Sequence, residues 1–247
     1  MSERRIARLG ALAALFATAL PLVAGAEPRA VVELFTSQGC SSCPAADRLL
    51  GELSKEPDVL ALSLPINYWD YLGWKDTLAD ARHGSRQKAY SQLRGDRAVY
   101  TPQIVVNGVA QALGSDRDAI EQAMTQSHRD SEVLSVPVTL TIDKDAVTVK
   151  TPGGQPVAAK AEVWLCPVTR SVQVHIGRGE NHGKTITYTN VVRGWIKLGT
   201  WAGGEATWRI PLKDLGSADA DALAVLVQDG TQDKPGAVIG AALAGLH

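Results

Sequence analysis

The chain has 247 residues, with 25 Lys+Arg against 26 Asp+Glu, a formal net charge of −1, and 45% hydrophobic residues. A near-neutral balance without basic blocks leaves no footprint for nucleic acid or an anionic membrane surface. Three cysteines are too few for a disulfide-scaffolded mini-protein, while the length suffices for a sizeable core and for two domains.

The first elements concern export. Arg4, Arg5 and Arg8 give a basic start, Leu9 to Val23 is an apolar run, and Ala24-Gly25-Ala26 is a small-x-small cleavage pattern. Residues 1–26 therefore read as a secretory signal peptide cut before Glu27. The run is short for a bilayer span and is interrupted by Pro21. The expected location is periplasmic or secreted, with no membrane attachment of the mature chain. In such an oxidising compartment Cys40 and Cys43 can form a disulfide.

Residues 30–35 are a β-prone apolar run that feeds a short loop, Thr36-Ser37-Gln38-Gly39, and then Cys40-Ser41-Ser42-Cys43-Pro44. Proline fits the first turn of a helix, and Ala45, Ala46, Leu49, Leu50 and Leu53 continue with helical spacing to about Ser54. The Cys-x-x-Cys thus falls at a helix start. The partial positive charge of that end favours thiolate at Cys40, and the spacing lets Cys43 attack a mixed disulfide formed there. Four-cysteine zinc is impossible with three cysteines, and no histidine stands at ligand spacing from another ligand. Two thiolates can still hold copper(I), so a copper chaperone or other binding module is the competing reading. With only Met1 and Met124 in the chain, the thiols lack methionine company. No organic cofactor and no metal is implied.

Val59 to Ile66 reads as a second buried strand. Asn67-Tyr68-Trp69-Asp70-Tyr71-Leu72-Gly73-Trp74-Lys75-Asp76 is an unusual aromatic stretch. Trp69, Tyr71 and Trp74 either line a substrate groove near the sulfurs or pin the insertion to the sheet, and Asp70 is either a functional acid or a cap. Residues 77–94 read as helix. After Thr101-Pro102, Ile104 to Val106 is strand-like, Asn107-Gly108 is a hairpin turn, and Val109 to Leu113 is the returning strand. Ser115 or Asp116 caps a last helix with Ile120, Ala123 and Met124 on one face.

Residues 127–135 form a polar connector, and the pattern then changes. Alternation at Val138, Leu140, Ile142, Val147 and Val149, followed by strand-like runs at 160–166, 171–176, 185–198, 205–210, 221–228 and 236–243, points to an antiparallel β-sandwich. Cys166 in Val163-Trp164-Leu165-Cys166-Pro167 reads as a buried, inert thiol. Gly177 to Lys184 is a polar loop carrying Arg178, Glu180, Asn181 and His182. It either reaches over the Cys-x-x-Cys as part of a substrate site or is a solvated loop on a separate module. The expected organisation is an α/β domain at 27–130 followed by an all-β antiparallel sandwich-like domain at 131–247.

The order of strand, Cys-x-x-Cys, helix, strand, helical insertion, Thr-Pro, hairpin and helix resembles a thioredoxin-like fold. That resemblance implies a cis bond at Thr101–Pro102, facing the sulfurs, with Thr101 tuning the redox poise. It also implies a buried acid in the first strand. Glu33 is the candidate, although the acid of thioredoxins stands one position nearer the first cysteine. One extra loop residue restores the match. Without it Leu34 takes the site and Glu33 points the other way, because strand side chains alternate.

The segments 32–47, 67–76 and 99–108, and Arg178-Gly179-Glu180-Asn181 with Asn190-Val191-Val192-Arg193, are together similar to a family of secreted bacterial proteins with a thioredoxin-like domain, known as domain of unknown function 1223. The similarity implies a thioredoxin-like region with an attached β-rich region and supplies no substrate. Asn67 stands where the family pattern often has an acid. The combined expectation is an exported thiol–disulfide oxidoreductase. Cys40 attacks and Cys43 resolves. The partners are protein or peptide thiols and a redox partner.

Overall fold

In a computed structural model, residues 22–23, 27–153, 160–217 and 219–246 are described. Most of the proposed signal peptide lies outside them. The molecule is mostly β, with few helices and a mixed nine-stranded sheet.

The elements run β1 (Leu22–Val23), β2 (Ala30–Thr36), α1 (Cys43–Leu53), β3 (Val59–Pro65), α2 (Ala81–Arg94), β4 (Gln103–Val106), β5 (Ala110–Leu113) and α3 (Arg117–Ser127). They continue as β6 (Thr139–Ile142), β7 (Ala146–Thr151), β8 (Ala161–His175), β9 (Thr185–Val192), β10 (Ile196–Trp201), β11 (Ala206–Pro211), β12 (Ala222–Thr231) and β13 (Lys234–Gly245). The large sheet has the order β13-β12-β8-β9-β3-β2-β4-β5, with β10 also paired to β8, and the small sheet has the order β1-β6-β7-β11. Pairs β2–β3 and β3–β9 are parallel, and the other pairs are antiparallel.

Alternation along the strands sorts the core. On β2, Val32 and Leu34 pack with Ala46, Leu49, Leu50 and Leu53 of α1 and Ile120 and Met124 of α3. Val31 and Phe35 face the other way, toward Tyr90 of α2. On β8, Val163 and Leu165 meet Leu140, Val147 and Val149 of the small sheet. Trp164, Cys166 and Val168 join the Phe35–Tyr90 side. The small sheet and the β8–β12–β13 part of the large one therefore enclose one core. The same large sheet runs on, through Ser63 of β3 opposite Val191 of β9, into the strands before residue 130.

Two runs differ from the sequence expectation. Strands at 160–166 and 171–176 are one long β8. Pro167 lies where the ladder to β10, ending at Leu165, gives way to the ladder to β9, starting at Val168. A missing N–H breaks no ladder bond on that edge. The run 185–198 divides into β9 and β10 at Arg193-Gly194-Trp195. At the hairpin, where Val106 pairs with Ala110, Asn107 and Gly108 have φ of 50° and 75°, the left-handed region that Gly and Asn enter most readily. Asn107 Oδ1 accepts from Val31 N (2.7 Å), and its carbonyl accepts from Val238 N (2.9 Å).

Candidate functional site

The loop between β2 and α1 places the two cysteines. Cys40 N donates to Ser37 O (3.1 Å) and Cys43 N to Cys40 O (3.2 Å), which curls the chain into α1. Cys40 and Cys43 form a disulfide, with Cα atoms 5.4 Å apart. Pro44 sits in the first turn and Ser42 at the N-cap makes no side-chain bond, so the helix dipole acts on the sulfurs without a competing capping oxygen. Cys43 is fully buried, Cys40 is 5% exposed, and Ser41 and Ser42 are exposed.

The loop is held from two other parts of the chain. Gln38 N donates to Asp76 Oδ2 (2.8 Å), and Gln38 Oε1 accepts from Trp74 Nε1 (2.8 Å) and Thr77 N (3.2 Å). Asp70 Oδ1 accepts from Asp76 N (3.1 Å), a bond within the loop rather than a helix cap, and Asp80 is the residue that caps α2. From the far side, buried Asn181 donates through Nδ2 to Gln38 O (2.9 Å) and Cys40 O (2.8 Å). Glu180 Oε2 accepts from Ser41 N (3.2 Å), and Lys184 Nζ donates to Asn181 Oδ1 (2.9 Å). Trp74 joins these two contributors, since a Cβ on Gly177 would lie 3.0 Å from its ring. Arg178 and His182 are exposed. They are in the same loop, but their side chains have no hydrogen-bond partner among the described residues.

The Thr101–Pro102 bond is cis. Trp69 Nε1 donates to Thr101 Oγ1 (2.7 Å), and a Cβ on Gly39 would lie 3.1 Å from Trp69 Cβ. Trp69 thus ties the Thr-Pro turn to the residue before Cys40. Pro102 reaches the α1 side as well. A Cβ on Gly114 would meet Pro102 Cβ at 3.0 Å and Ala46 Cβ at 3.2 Å. Tyr71, 75% exposed, stacks on Trp69 at 6.1 Å, so the half-buried Trp69 both pins the loop and carries an exposed aromatic partner beside the disulfide.

Glu33 is not beneath the disulfide. It lies on the Phe35 face of β2, away from α1, where Arg86 Nε donates to its Oε1 (2.7 Å) and Tyr90 Oη to its Oε2 (2.6 Å). The extra loop residue that would turn it toward Cys43 has no counterpart in the strand register, and Leu34 faces α1.

The acids that do lie on the α1 side are Asp47 and Asp76, neither of which was legible as a site residue. Asp47 follows Cys43 by one helical turn and is 2% exposed, and neither carboxyl oxygen has a hydrogen-bond partner. Burial pushes its carboxyl up to about 8. The nearby Thr36 hydroxyl moderates that rise without reaching good hydrogen-bond geometry, and the Asp76 charge adds to it. Burial also raises Asp76, to about 6, against the N–H groups of Gln38 and Leu78 that hold its charged form. The Tyr188 hydroxyl on β9 is raised by burial and by both acids. Thr36, Ser63 and Tyr188 likewise carry buried hydroxyls without partners. Among the described residues no group of three or more His, Cys, Asp or Glu side chains could hold a metal ion. No helix among them is long and apolar enough to cross a membrane.

Comparison with known proteins places this geometry. The family described as "Protein of unknown function (DUF1223)" matches residues 31–228. An X-ray crystal structure of a protein from Agrobacterium tumefaciens is 33% identical, with a TM-score of 0.78 over 89% of this chain and 95% of that one. HBP35 of Porphyromonas gingivalis is 15% identical and shares the fold, with a TM-score of 0.60 over 90% of this chain and 76% of that one. A probable thioredoxin from Archaeoglobus fulgidus is 43% identical over 37 residues, 15% of this chain, and the chain spans 41% of that protein's length.

Proposed function

This chain belongs to the DUF1223 family, whose function is unknown, and we propose that it is an exported thiol–disulfide oxidoreductase acting on protein or peptide thiols through Cys40 and Cys43. The observation that carries the reading is the disulfide itself. It closes at the N-terminus of α1, with Cys40 the less buried residue of the pair and Cys43 fully enclosed. The short similarity to a probable thioredoxin supports it. So does the order β3-β2-β4-β5, with β2–β3 parallel and the hairpin antiparallel, which we read as a thioredoxin-like unit joined to a sandwich-like one.

In this reading Cys40 thiolate attacks a client disulfide, one client sulfur leaves as thiolate, and Cys43 then displaces the other from the mixed disulfide. Thr101 and Pro102 offer backbone to an extended client beside Trp69 and Tyr71. Trp74, Asp70, Glu180 and Asn181 shape the loop rather than touch the client, and Arg178 is the free donor at its rim. Export rests on the basic-apolar-small pattern of residues 1–26. Cleavage there removes β1, which pairs with β6 through Leu22 and Val23. The mature N-terminus should begin at Glu27.

The test uses reduced mature protein and a model peptide disulfide. Exchange should proceed, Cys40→Ala should abolish it, and Cys43→Ala should trap a mixed disulfide at Cys40. A pair that takes up one copper(I) and does not exchange would establish the binding-module alternative instead.

A further inference from the structure

We propose that Asp47 exchanges the proton of the Cys43 thiol during turnover, from the buried face of α1, with Asp76 as its charge-coupled neighbour. The inference deepens the redox reading and rests on it. Its basis is geometric. Residues one turn apart on a helix stand side by side, about 5–6 Å between Cβ atoms, and Cys43 and Asp47 share the buried side of α1. Cys43 is fully enclosed, so a proton leaving its sulfur has no direct route to solvent. Asp47 has two acceptor oxygens without partners in a place where a lasting carboxylate is unfavourable. The first-strand acid, Glu33, is occupied by Arg86 and Tyr90 on the opposite face.

The groups facing Asp47 come from every element packed on it. Thr36 of β2 and Tyr188 of β9 are neutral hydroxyls, Asp76 lies in the segment before α2, and Arg48 is its neighbour on α1. Burial and Asp76 hold the carboxyl well above the usual range, so with the disulfide closed it is protonated at neutral pH. The cycle balances on that basis. The reactive fraction of reduced protein, which grows as pH approaches 8, carries Cys40 thiolate, Cys43 thiol and Asp47 carboxylate. Cys40 attacks a client disulfide and releases one client thiolate. Cys43 then gives its proton to Asp47 and its sulfur attacks Cys40, releasing the second client thiolate. Two negative charges enter, on Cys40 and Asp47, and two leave, on the client sulfurs.

The experiment follows reduced full-length mature protein with 5,5′-dithiobis(2-nitrobenzoate). The first thionitrobenzoate release reports attack by Cys40, and the second reports resolution by Cys43. In the wild type the second phase should speed up with pH about a midpoint near 8. In Asp47→Asn it should be roughly hundredfold slower at pH 8, the lower end of the range for general acid–base catalysis, and lose that midpoint. In Asp76→Asn the phase should persist with its midpoint lowered, because a negative neighbour has gone. An unchanged second phase in Asp47→Asn overturns the proposal. Should that variant not fold, an unmoved midpoint in Asp76→Asn overturns it. Absence of any second release in the wild type rejects the redox reading itself, which separates the two failures.

Discussion

Two buried polar clusters lie back to back across β2, and they are built on opposite terms. On one face Glu33, Arg86, Tyr90 and Gln228 are joined: Arg86 Nη2 and Gln228 Nε2 donate to Tyr90 Oη at 2.5 and 2.8 Å, and Tyr90 donates to Glu33. Arg86 also lies over the Trp195 ring at 4.5 Å. On the other face the side chains of Asp47, Thr36, Ser63 and Tyr188 are buried without hydrogen-bond partners. A satisfied buried network specifies structure. Unsatisfied polar groups are costly and persist at sites where they are used. The cluster that resembles an active-site acid from its place in the sequence is the structural one.

The largest effect should come from breaking the satisfied side. Arg86→Ala leaves Glu33 buried and uncompensated and should destabilise the fold by about 3–5 kcal/mol, read as a lower urea midpoint. The reduction potential of the cysteine pair should move little while the protein remains folded. Asp47→Asn should do the reverse, retaining or gaining stability. A large loss of stability in Asp47→Asn, or a large shift of potential in Arg86→Ala, would exchange the roles of the two clusters.

The pH dependence sharpens the contrast. Asp47 has a folded-state pKa raised from an ordinary 3.8 to about 8. The native state therefore binds a proton that the unfolded chain has lost, and stability falls as pH rises from about 4 to about 8. The stability of Asp47→Asn relative to wild type should accordingly increase over that window in denaturant titrations at several pH values. Equal slopes would show that Asp47 is not held protonated. His83 acts oppositely. Burial lowers it from 6.5 to about 4, so it stays neutral in the fold, and its contribution is lost as pH falls through that range.

How far these features were legible follows from how local each one is. Cys40, Cys43 and Pro44 announce themselves by short spacing, and the strands of the small sheet by period-two alternation, as at Val138, Leu140, Val147 and Val149. The face of Glu33 turned on a single loop residue, which spacing left open. Asp47 was read only as part of a helix, because its burial depends on Tyr188, far along the chain on β9. Gln38 became a hub through Asp76 and Asn181 for the same reason. The continuity of the large sheet hangs on one parallel register, Ser63 opposite Val191, that no local pattern encodes.

Smaller effects test the outer supports. Asn181→Ala removes two hydrogen bonds to the carbonyls of Gln38 and Cys40 and should cost about 1–3 kcal/mol, with faster alkylation of reduced Cys40 as its loop loosens. Unchanged stability and alkylation would leave the 178–184 loop as a bystander. Tyr71→Ala, at an exposed site, should leave stability within about 0.5 kcal/mol. It should slow exchange with an extended peptide disulfide more than with a small one. Equal slowing of both would remove Tyr71 from the client surface.

The most direct test of the central claim is the redox equilibrium of Cys40 and Cys43 in defined glutathione buffers, with metal content determined on the same sample. The account predicts a reversible two-electron titration of the folded protein, with both thiols appearing together and no bound copper. A disulfide that resists reduction until the protein unfolds, or a reduced pair that holds one copper(I) and exchanges with no client, would contradict it.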